Sequence, residues 1–492
     1  MSSDAKTDYL EVQIEATDFP CEDLCVRKLT GHEAISRLFS FDVELISLDR
    51  FGVDPDSMTG ADVTVVFLRS GVEVRRVHGM IAEVDDLLAN HADFRAYRVR
   101  VVPRMFRLTL VEALEIFTTA NKRESFQAGV TVPEIIEGKL AAVQLDADLE
   151  MRLLGGYPRR EFISQYKETD LAFVSRLAEH LGISFFFEHK NGRDVVVFTD
   201  HAAGFPFVET VHFRSRGEHL DIFQLEARRR LVPHAYILRD YNYRNPLLDL
   251  TSDPAVIESG YAGGVVEYGA HFKTKEEGDA LARIRAEEKH AGQLVFAGKS
   301  DLAALAAGMR FRLEGHPDLG SIELLMVEVH HEVSQVVAGS GAQGETSYGN
   351  TFRAIPADRT YRPPRVTPRP RVHGLVTGII DAGPGGSDTV AQLDDQGRYR
   401  VRFIFDTLTP GEQQPSHPVR MAQNHAGENY GTHFPLKPGV EVVVGFVDGD
   451  PDRPVIVGAV PNPTKPSPID IRSPTTHRIK TGAGIVIDLI DD

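Results

Sequence analysis

The chain has 492 residues, and its 71 acidic and 54 basic side chains give a formal net charge of −17. This length favours about three domains. The negative charge opposes general binding to nucleic acids or anionic membranes, so we predict no nucleic-acid partner. The two cysteines, Cys21 and Cys25, are too few for a disulfide framework or a four-ligand zinc site. The N-terminus lacks the basic start and apolar run of a signal peptide, and we expect synthesis in the cytoplasm.

The first 110 residues read mainly as β-strands. The segments "FSFDVELIS", "DVTVVFL" and "YRVRVV" alternate with a period of two or run apolar, and glycines separate them. Strands of this length joined by glycine turns predict a small β-barrel or sandwich.

Three segments carry helix signals. In "TVPEIIEGKLAAV", Thr131 and Glu134 stand at capping-box spacing. A second helix starts near Thr169 in "TDLAFVSRLAEHLG", whose apolar residues share one face. In "TKEEGDALARIRAEEKHAG", Thr274 and Glu277 form another capping-box pair, and we predict a third helix there.

A β-hairpin is predicted directly after the second helix. Gly182 is placed to end that helix, and Asn191 and Gly192 separate two strand-like runs in "ISFFFEHKNGRDVVVF". An Asn-Gly pair tolerates the positive φ angles that a tight hairpin requires. Residues 309–335 return to strands.

A connector rich in proline and arginine follows at residues 355–372, "IPADRTYRPPRVTPRPRV". Proline fixes φ and removes a hydrogen-bond donor, so the segment should be extended and lie outside a sheet, and it marks the main domain boundary. No aromatic series accompanies the arginines for base stacking, which favours contact with acidic protein surface over nucleic acid.

Residues 373–462 read as short strands with glycine turns and predict a compact OB-type barrel. Within it, "VVVGFVDGDPDRPVIVGAV" places Asp448, Asp450 and Asp452 at alternate positions, as a calcium loop begins. Such a loop needs glycine and glutamate where Arg453 and Ala459 stand. We therefore predict a β-hairpin with a solvated acidic tip and treat a cation site as the weaker alternative.

The C-terminal segment follows a second connector, "NPTKPSP". In "IDIRSPTTHRIKTGAGIVIDLIDD", apolar residues recur at odd positions, as in strands with one apolar face. These residues are Ile469, Ile471, Ile479, Ile485, Ile487 and Leu489. So short a segment cannot bury this face alone, so it packs either on its own barrel or against equivalent segments of other chains.

Short catalytic signatures are absent from the sequence, including the phosphate loop, paired CxxC, HExxH and GxSxG. The segment "HHEVSQ" comes closest to the HExxH zinc-protease signature, but Gln335 stands at the place of the second zinc ligand. His330 and His331 are neighbours on a predicted strand and should point to opposite faces, which favours a structural histidine pair. We predict no catalytic residue, no metal ligand and no cofactor. Glu124, Glu161 and Glu168 are the candidates for a glycosidase pair, the weaker interpretation.

Several segments together resemble the VgrG spike proteins of bacterial type VI secretion, which are similar to fused phage tail hub and tail spike proteins. The most specific are "RREFISQYKETDLAFVSRLAEHLGISFFFEH" (159–189), "DDQGRYRVRFIFD" (394–406) and "VGFVDGDPDRPVIVGAVPN" (444–462). The resemblance covers nearly the whole chain. Two departures are Phe405 in "FIFD" and His425 in "HAG", where the family often carries tryptophan.

The resemblance implies a mainly β, multidomain fold with a few helices. Residues 1–354 would form a tail hub-like region of two β-barrel domains with inserted helices, and residues 355–372 the connector. Residues 373–462 would form the OB-fold domain, and residues 463–492 a connector and the start of a triple-stranded β-helix. The trimer interface would then include four residues of the tail: Ile479, Ile485, Ile487 and Leu489.

The resemblance also implies a structural function. A homotrimer would bind an Hcp-like tube, baseplate proteins, and a PAAR-like tip protein with effectors, and sheath contraction would drive it mechanically through a target membrane and out of the cell. The chain stops at Asp492, where a long needle would still be ahead, so direct PAAR binding is the least supported of these partners. The alternatives are the same part of a phage tail or extracellular injection particle and, from another class, a tail-associated cell-wall hydrolase.

Overall fold

The computed structural model describes residues 10–47, 49, 51–87, 94–118, 129–214, 221–337, 346–383, 385–406 and 415–491. The chain divides into two compact units. Unit 1 comprises residues 1–110, 136–156 and 174–368, and unit 2 comprises residues 111–135, 157–173 and 369–492. Across the described ranges, no helix is both long enough and apolar enough to cross a membrane.

The described residues form mostly β-strands, as predicted. In chain order the strands are β1 Leu10–Ala16, β2 Leu24–Ala34, β3 Ser40–Ser47, β4 Asp62–Arg69, β5 Val72–Leu87, β6 Arg95–Val102, β7 Glu112–Thr118, β8 Leu149–Arg152, β9 Phe162–Thr169, β10 Ser184–Lys190, β11 Arg193–Thr199, β12 Phe207–His212, β13 Ile222–Arg229, β14 Pro233–Asp240, β15 Leu250–Thr251, β16 Ala255–Val256, β17 Tyr261–Tyr268, β18 Leu294–Ser300, β19 Arg310–His316, β20 Gly320–Ser334, β21 Ser347–Pro356, β22 Val376–Ile380, β23 Val401–Phe403, β24 Arg420–Met421, β25 Ala426–Gly427, β26 Tyr430–Gly431, β27 Glu441–Phe446, β28 Pro454–Ala459, β29 Thr476–Lys480 and β30 Val486–Ile490. The α-helices are α1 Pro55–Met58, α2 Val132–Ala142, α3 Asp170–His180 and α4 Lys275–Ala291.

Unit 1 is built on one large sheet. Its strands follow the order β1-β4-β5-β6-β3-β2-β20-β21-β18-β13, with β19 paired to β20 and β12 paired in parallel to β19. The first six strands enclose a core that includes Phe41, Val43, Leu45, Val65 and Val99, all fully buried. The period-two pattern of β3 places every second residue in this core. The prediction of strands in the first 110 residues is confirmed.

The second half of the large sheet has its own core. Phe311, Leu313, Leu324, Met326 and Phe352 pack together there with almost no exposure. They lie on β19, β20 and β21, so the prediction that residues 309–335 return to strands is also confirmed.

Gln335 connects β1 to β2, which do not pair directly in the sheet order. Its amide nitrogen donates to the carbonyl oxygens of Val12 (3.1 Å) and Val26 (2.6 Å). Its side-chain oxygen accepts a hydrogen bond from the Val12 N–H. Gln335, which stands where the HExxH motif requires its second histidine, therefore satisfies backbone hydrogen-bonding groups of β1 and β2.

The capping predictions are confirmed for α2 and half confirmed for α4. The Thr131 N–H donates to Glu134 Oε2 at 2.9 Å, and Thr131 Oγ1 accepts from the Glu134 N–H at 3.3 Å. At α4, Thr274 Oγ1 accepts from the Glu277 N–H at 3.3 Å, but the Glu277 carboxylate accepts from Lys273 at 2.9 Å rather than from Thr274. The side chain reaches one residue further back than the capping box requires.

The predicted hairpin is present with a two-residue turn. Lys190 of β10 pairs with Arg193 of β11, and Asn191 and Gly192 between them have φ angles of 53° and 76°. Two successive positive φ angles are those of a type I′ turn, which matches the twist of paired strands. Before it, α3 ends ahead of Gly182, whose φ of 68° is left-handed, as predicted.

Unit 2 contains the predicted OB-type barrel. Its five-stranded sheet follows the order β23-β22-β27-β28-β24. The core of this sheet is formed by Ile380, Tyr399, Val401, Val442, Val444 and Ile456. The predicted aromatic position Phe405 packs on Phe403, with ring centroids 5.0 Å apart, and on Tyr166 at 5.4 Å. Phenylalanine thus provides ring packing at the position where the resemblance led us to expect tryptophan.

Candidate assembly surface

The C-terminal segment forms an isolated β-hairpin in unit 2. β29 and β30 pair antiparallel, with Ile479 opposite Ile487 and His477 opposite Leu489. The connecting turn is fixed by hydrogen bonds from the Thr481 N–H to the Ile485 carbonyl (2.9 Å) and from the Ile485 N–H to Thr481 Oγ1 (3.0 Å). Directly opposed residues point to the same face, so the odd-numbered apolar residues of the two strands lie side by side.

This apolar face is exposed. Ile479 keeps 48% of its maximal exposure, Ile487 55%, and Ile485 and Leu489 66% each. Single exposed apolar residues are common on proteins, but a contiguous group marks an interaction surface. We call these four residues the tail face.

The opposite face of the hairpin is held by an ion pair. Arg478 Nε and Nη2 each donate to one carboxylate oxygen of Asp488 at 2.8 Å. This hydrogen bonding lowers the pKa of Asp488 below its usual range. Val486 and Ile490 are also exposed on this face, so the hairpin is apolar on more than the predicted side.

The predicted apolar series is wrong at its first two members. Ile469 and Ile471 both precede β29, and Ile471 lies in a turn where Arg472 donates to Asp470 through both its backbone N–H (2.9 Å) and its guanidinium. This local hydrogen bonding competes with strand pairing. Ile471 is 94% exposed outside the hairpin.

The acidic turn of unit 2 differs from the predicted solvated tip. Residues 447–453 do connect β27 to β28, but Asp450 is buried and its carboxylate lies 2.9 Å from Arg369. Asp452 accepts a hydrogen bond from the Ser164 N–H at 2.7 Å. Only Asp448 is exposed, so the prediction holds for the turn and fails for its solvation. Buried carboxylates need such partners because desolvation penalises an unpaired charge.

Three of the connector arginines pair with acidic groups inside their own units, in line with the predicted contact with acidic protein surface. In unit 1, Arg362 Nε donates to Glu287 at 2.7 Å, and Arg365 donates to both oxygens of Glu267 at 2.8 and 2.9 Å. In unit 2, Arg369 pairs with Asp450 as described. Most of the connector is irregular, but its first two residues, Ile355 and Pro356, belong to β21, so the prediction that the segment lies outside a sheet is wrong at its start.

The two histidines of "HHEVSQ" point to opposite faces of β20, as predicted, since His331 is buried and His330 is exposed. His331 Nε2 lies 2.9 Å from Glu33 Oε1, its Nδ1 lies 2.8 Å from the Tyr348 hydroxyl, and Arg75 Nη2 donates to the same Glu33 oxygen at 2.5 Å. Burial raises the pKa of Glu33, but Arg75 and His331 outweigh it and lower the pKa to about 2. Burial has the opposite effect on His331 and lowers its pKa, because desolvation disfavours the charged imidazolium.

Two of the three glutamates of the weaker glycosidase interpretation lie in or beside a unit 2 strand. Glu161 directly precedes β9 and Glu168 lies within it, both half-buried. Glu124 lies outside the described residues.

Comparison with known proteins identifies the family. A family model described as "Phage tail baseplate hub (GPD)" matches residues 32–337, which is more than half of the chain. The chain belongs to this hub family. A second model, "Type VI secretion system/phage-baseplate injector OB domain", matches residues 389–460 of this hub protein.

Relatives of this hub protein confirm the resemblance to VgrG proteins. It is 31% identical to the spike protein VgrG5 of Pseudomonas aeruginosa over 89% of its own length and 56% of the relative's. It is 28% identical to VgrG3 of Vibrio cholerae over 96% of its own length and 47% of the relative's. The chain therefore spans about half the length of the curated relatives it matches.

A solved structure agrees over nearly the whole chain. The E. coli protein c3393, described as a type VI secretion component with similarity to the T4 tail proteins gp27 and gp5, superposes with a TM-score of 0.65 at 25% identity. The match covers 92% of this hub protein and 100% of that chain. The predicted fold class, mainly β with hub-like barrels and an OB domain, is confirmed.

Proposed function

We propose that this protein is the homotrimeric hub and spike base of a type VI secretion machine. The hub family match and the VgrG relatives support the hub and spike assignment. The single observation that supports the trimer is the exposed tail face, four aliphatic side chains on a hairpin that its own unit leaves uncovered.

The physical reason for assembly is the burial of apolar surface. A two-stranded hairpin is marginally stable alone in water, and both its edges present unpaired backbone groups. Fully burying one isoleucine side chain contributes about 1.5–3 kcal/mol. Two further copies of the chain would cover the tail face and pair its edges, with each copy using the same residues around a threefold axis.

The proposed partners follow from the family. The trimeric hub would sit on an Hcp-like tube and contact baseplate proteins, and its tip would carry a PAAR-like protein or effectors, reached through chain beyond the hairpin or through another subunit. Its work would be mechanical, and we propose no catalytic role. VgrG1 of Vibrio cholerae, 28% identical to this chain, is named an actin cross-linking toxin, but the match covers 43% of that protein.

A second candidate is the equivalent hub of a phage tail or an extracellular injection particle. The family description as a phage tail baseplate hub favours it. Neighbouring genes for a membrane-anchored secretion complex would support type VI secretion, whereas capsid genes would support a phage.

Light scattering on the purified, tag-free chain tests the trimer. We expect a mass three times the 54.4 kDa of the single chain, and threefold symmetry in class averages of particle images. Replacing Ile485 and Ile487 by aspartate should weaken this assembly, because charge would enter the shared apolar face.

Ile471→Asp is the control, since it makes the same kind of substitution at one highly exposed isoleucine of the same region outside the hairpin. It should keep the parent's mass and thermal stability. A parent that stays monomeric at micromolar concentration contradicts the trimer. A double variant as trimeric and heat-resistant as the parent shows instead that the hub region alone holds the assembly.

A further inference from the structure

Two histidines and one glutamate converge on the solvent-facing side of the large sheet in unit 1. His32 on β2 stands directly opposite His330 on the antiparallel strand β20. Glu328 lies two residues before His330 and therefore points to the same face. The two imidazole rings stack with centroids 4.4 Å apart and an angle of 17° between their planes.

The Nε2 atoms of both imidazoles lie close to one carboxylate oxygen of Glu328. Glu328 Oε1 lies 3.1 Å from His32 Nε2 and 3.3 Å from His330 Nε2. The three atoms all lie within 4.8 Å of one another. We propose that His32, Glu328 and His330 bind a divalent transition-metal ion such as Zn²⁺.

The spacing between the carboxylate oxygen and the two imidazole nitrogens fits such an ion. With metal–nitrogen and metal–oxygen bonds of about 2.0–2.2 Å, neighbouring ligands of a tetrahedral ion lie about 3.3–3.5 Å apart. The observed separations between Glu328 Oε1 and the two nitrogens are close to this value. Because the two imidazole planes are nearly parallel, the rings would turn about their χ2 torsions to aim both Nε2 lone pairs at the ion, which would replace the shared hydrogen-bonding protons.

The second oxygen of Glu328 is already held. Arg353 Nη1 lies 3.3 Å from Glu328 Oε2. This contact leaves Oε1 for the histidines, as an outer partner of a metal ligand does. Two imidazoles and one carboxylate select Zn²⁺, Co²⁺, Ni²⁺ or Cu²⁺ over Ca²⁺ and Mg²⁺, which prefer all-oxygen sites.

The site exists only when unit 1 is folded. His32 and Glu328 are 296 positions apart in the chain and meet only because β2 pairs with β20. An ion bound there would link the N-terminal strands to the end of the hub region. Binding should therefore raise the unfolding temperature of the protein, because the unfolded chain does not assemble the ligands. His330 and His32 keep part of their surface exposed, which leaves an entry path and a coordination position for water.

The test uses the tag-free full chain, stripped with a chelator and titrated with Zn²⁺ by calorimetry against a competing chelator. One Zn²⁺ per chain is expected, and Mg²⁺ should give no binding heat. His330→Ala and Glu328→Gln should each weaken Zn²⁺ binding by at least about 100-fold, since even outer partners of a metal site contribute 10–100-fold. Co²⁺ absorption in the visible range should report a four-coordinate site in the parent and be lost in both variants.

His234→Ala is the control, because His234 is a single exposed histidine on another strand of unit 1. It should bind Zn²⁺ as the parent does. Circular dichroism verifies that each variant is folded, and Glu328→Gln keeps the shape of the side chain if His330→Ala does not fold. The proposal is overturned if the parent takes up less than one equivalent, if both variants bind like the parent, or if only one of the two loses binding.

Discussion

Replacing Glu33 by glutamine should remove about 3 kcal/mol from the unfolding free energy of unit 1 at neutral pH. Glu33 is buried, and its carboxylate is the counter-charge of the equally buried Arg75. Arg75 also donates to the carbonyl oxygens of Ala303 and Leu305 at 3.2 Å each, so it cannot turn out to solvent without losing these bonds. Glutamine would keep an acceptor oxygen but leave the guanidinium unneutralised.

Two estimates of the magnitude agree. The pKa of Glu33 is lowered from its ordinary 4.5 to about 2. A difference of this size between the folded and unfolded states corresponds to about 3 kcal/mol, at roughly 1.4 kcal/mol per pKa unit. Removing one partner of a buried ion pair costs about 3–5 kcal/mol.

The pH dependence has a definite sign. Because the folded-state pKa of Glu33 is depressed, its contribution is fully present above the unfolded-state pKa of 4.5 and is lost as the pH falls from there towards 2. Calorimetry between pH 7 and pH 3 measures this loss. The difference between the parent and Glu33→Gln should shrink as the pH falls below 4.5.

Glu15→Gln is the control. Glu15 pairs with Arg76 at 2.8 Å on the exposed surface of the same unit, and such pairs contribute about 0–1 kcal/mol. A Glu33→Gln protein that is as stable as the parent at pH 7, or that loses the same stability at pH 3 as at pH 7, would contradict the stabilising role of this ion pair. Replacing Arg75 by methionine in the Glu33→Gln background should recover part of the loss, since no unpaired charge remains.

Three further substitutions test local structure, each by thermal or urea unfolding. Gln335→Glu should destabilise unit 1 by about 2–4 kcal/mol, because a carboxylate would face the Val12 and Val26 carbonyls that the amide now donates to; an unchanged protein would show that water replaces these bonds. Gly192→Ala should cost about 1 kcal/mol, because φ there is 76° although no atom lies within 4 Å of the added methyl group. Gly138→Ala on the exposed face of α2 should instead stabilise by up to about 1 kcal/mol, and equal effects of the two alanines would contradict the backbone explanation.

The sequence by itself was sufficient for features that depend on neighbouring residues. The Asn191–Gly192 turn, the Thr131 capping box and the alternating strands of both units all follow from backbone preferences and local hydrogen bonds. The family resemblance added the hub and OB assignment, because the segments that carry this resemblance are spread over the whole chain. The apolar alternation wrongly predicted a strand around Ile471, where hydrogen bonds between Asp470 and Arg472 form a turn instead.

Only the tertiary structure decided which distant charges meet. Glu33 and His331 are 298 positions apart, and the sequence offers no sign that a buried carboxylate connects to the second histidine of "HHEVSQ". In the same way His330 acquires His32 as a neighbour through the pairing of β2 with β20, and Asp450 is buried against Arg369 instead of facing water. The physical reason is that burial and charge pairing depend on distances between folded elements, whereas a pattern along one chain reports only which residues are near in sequence.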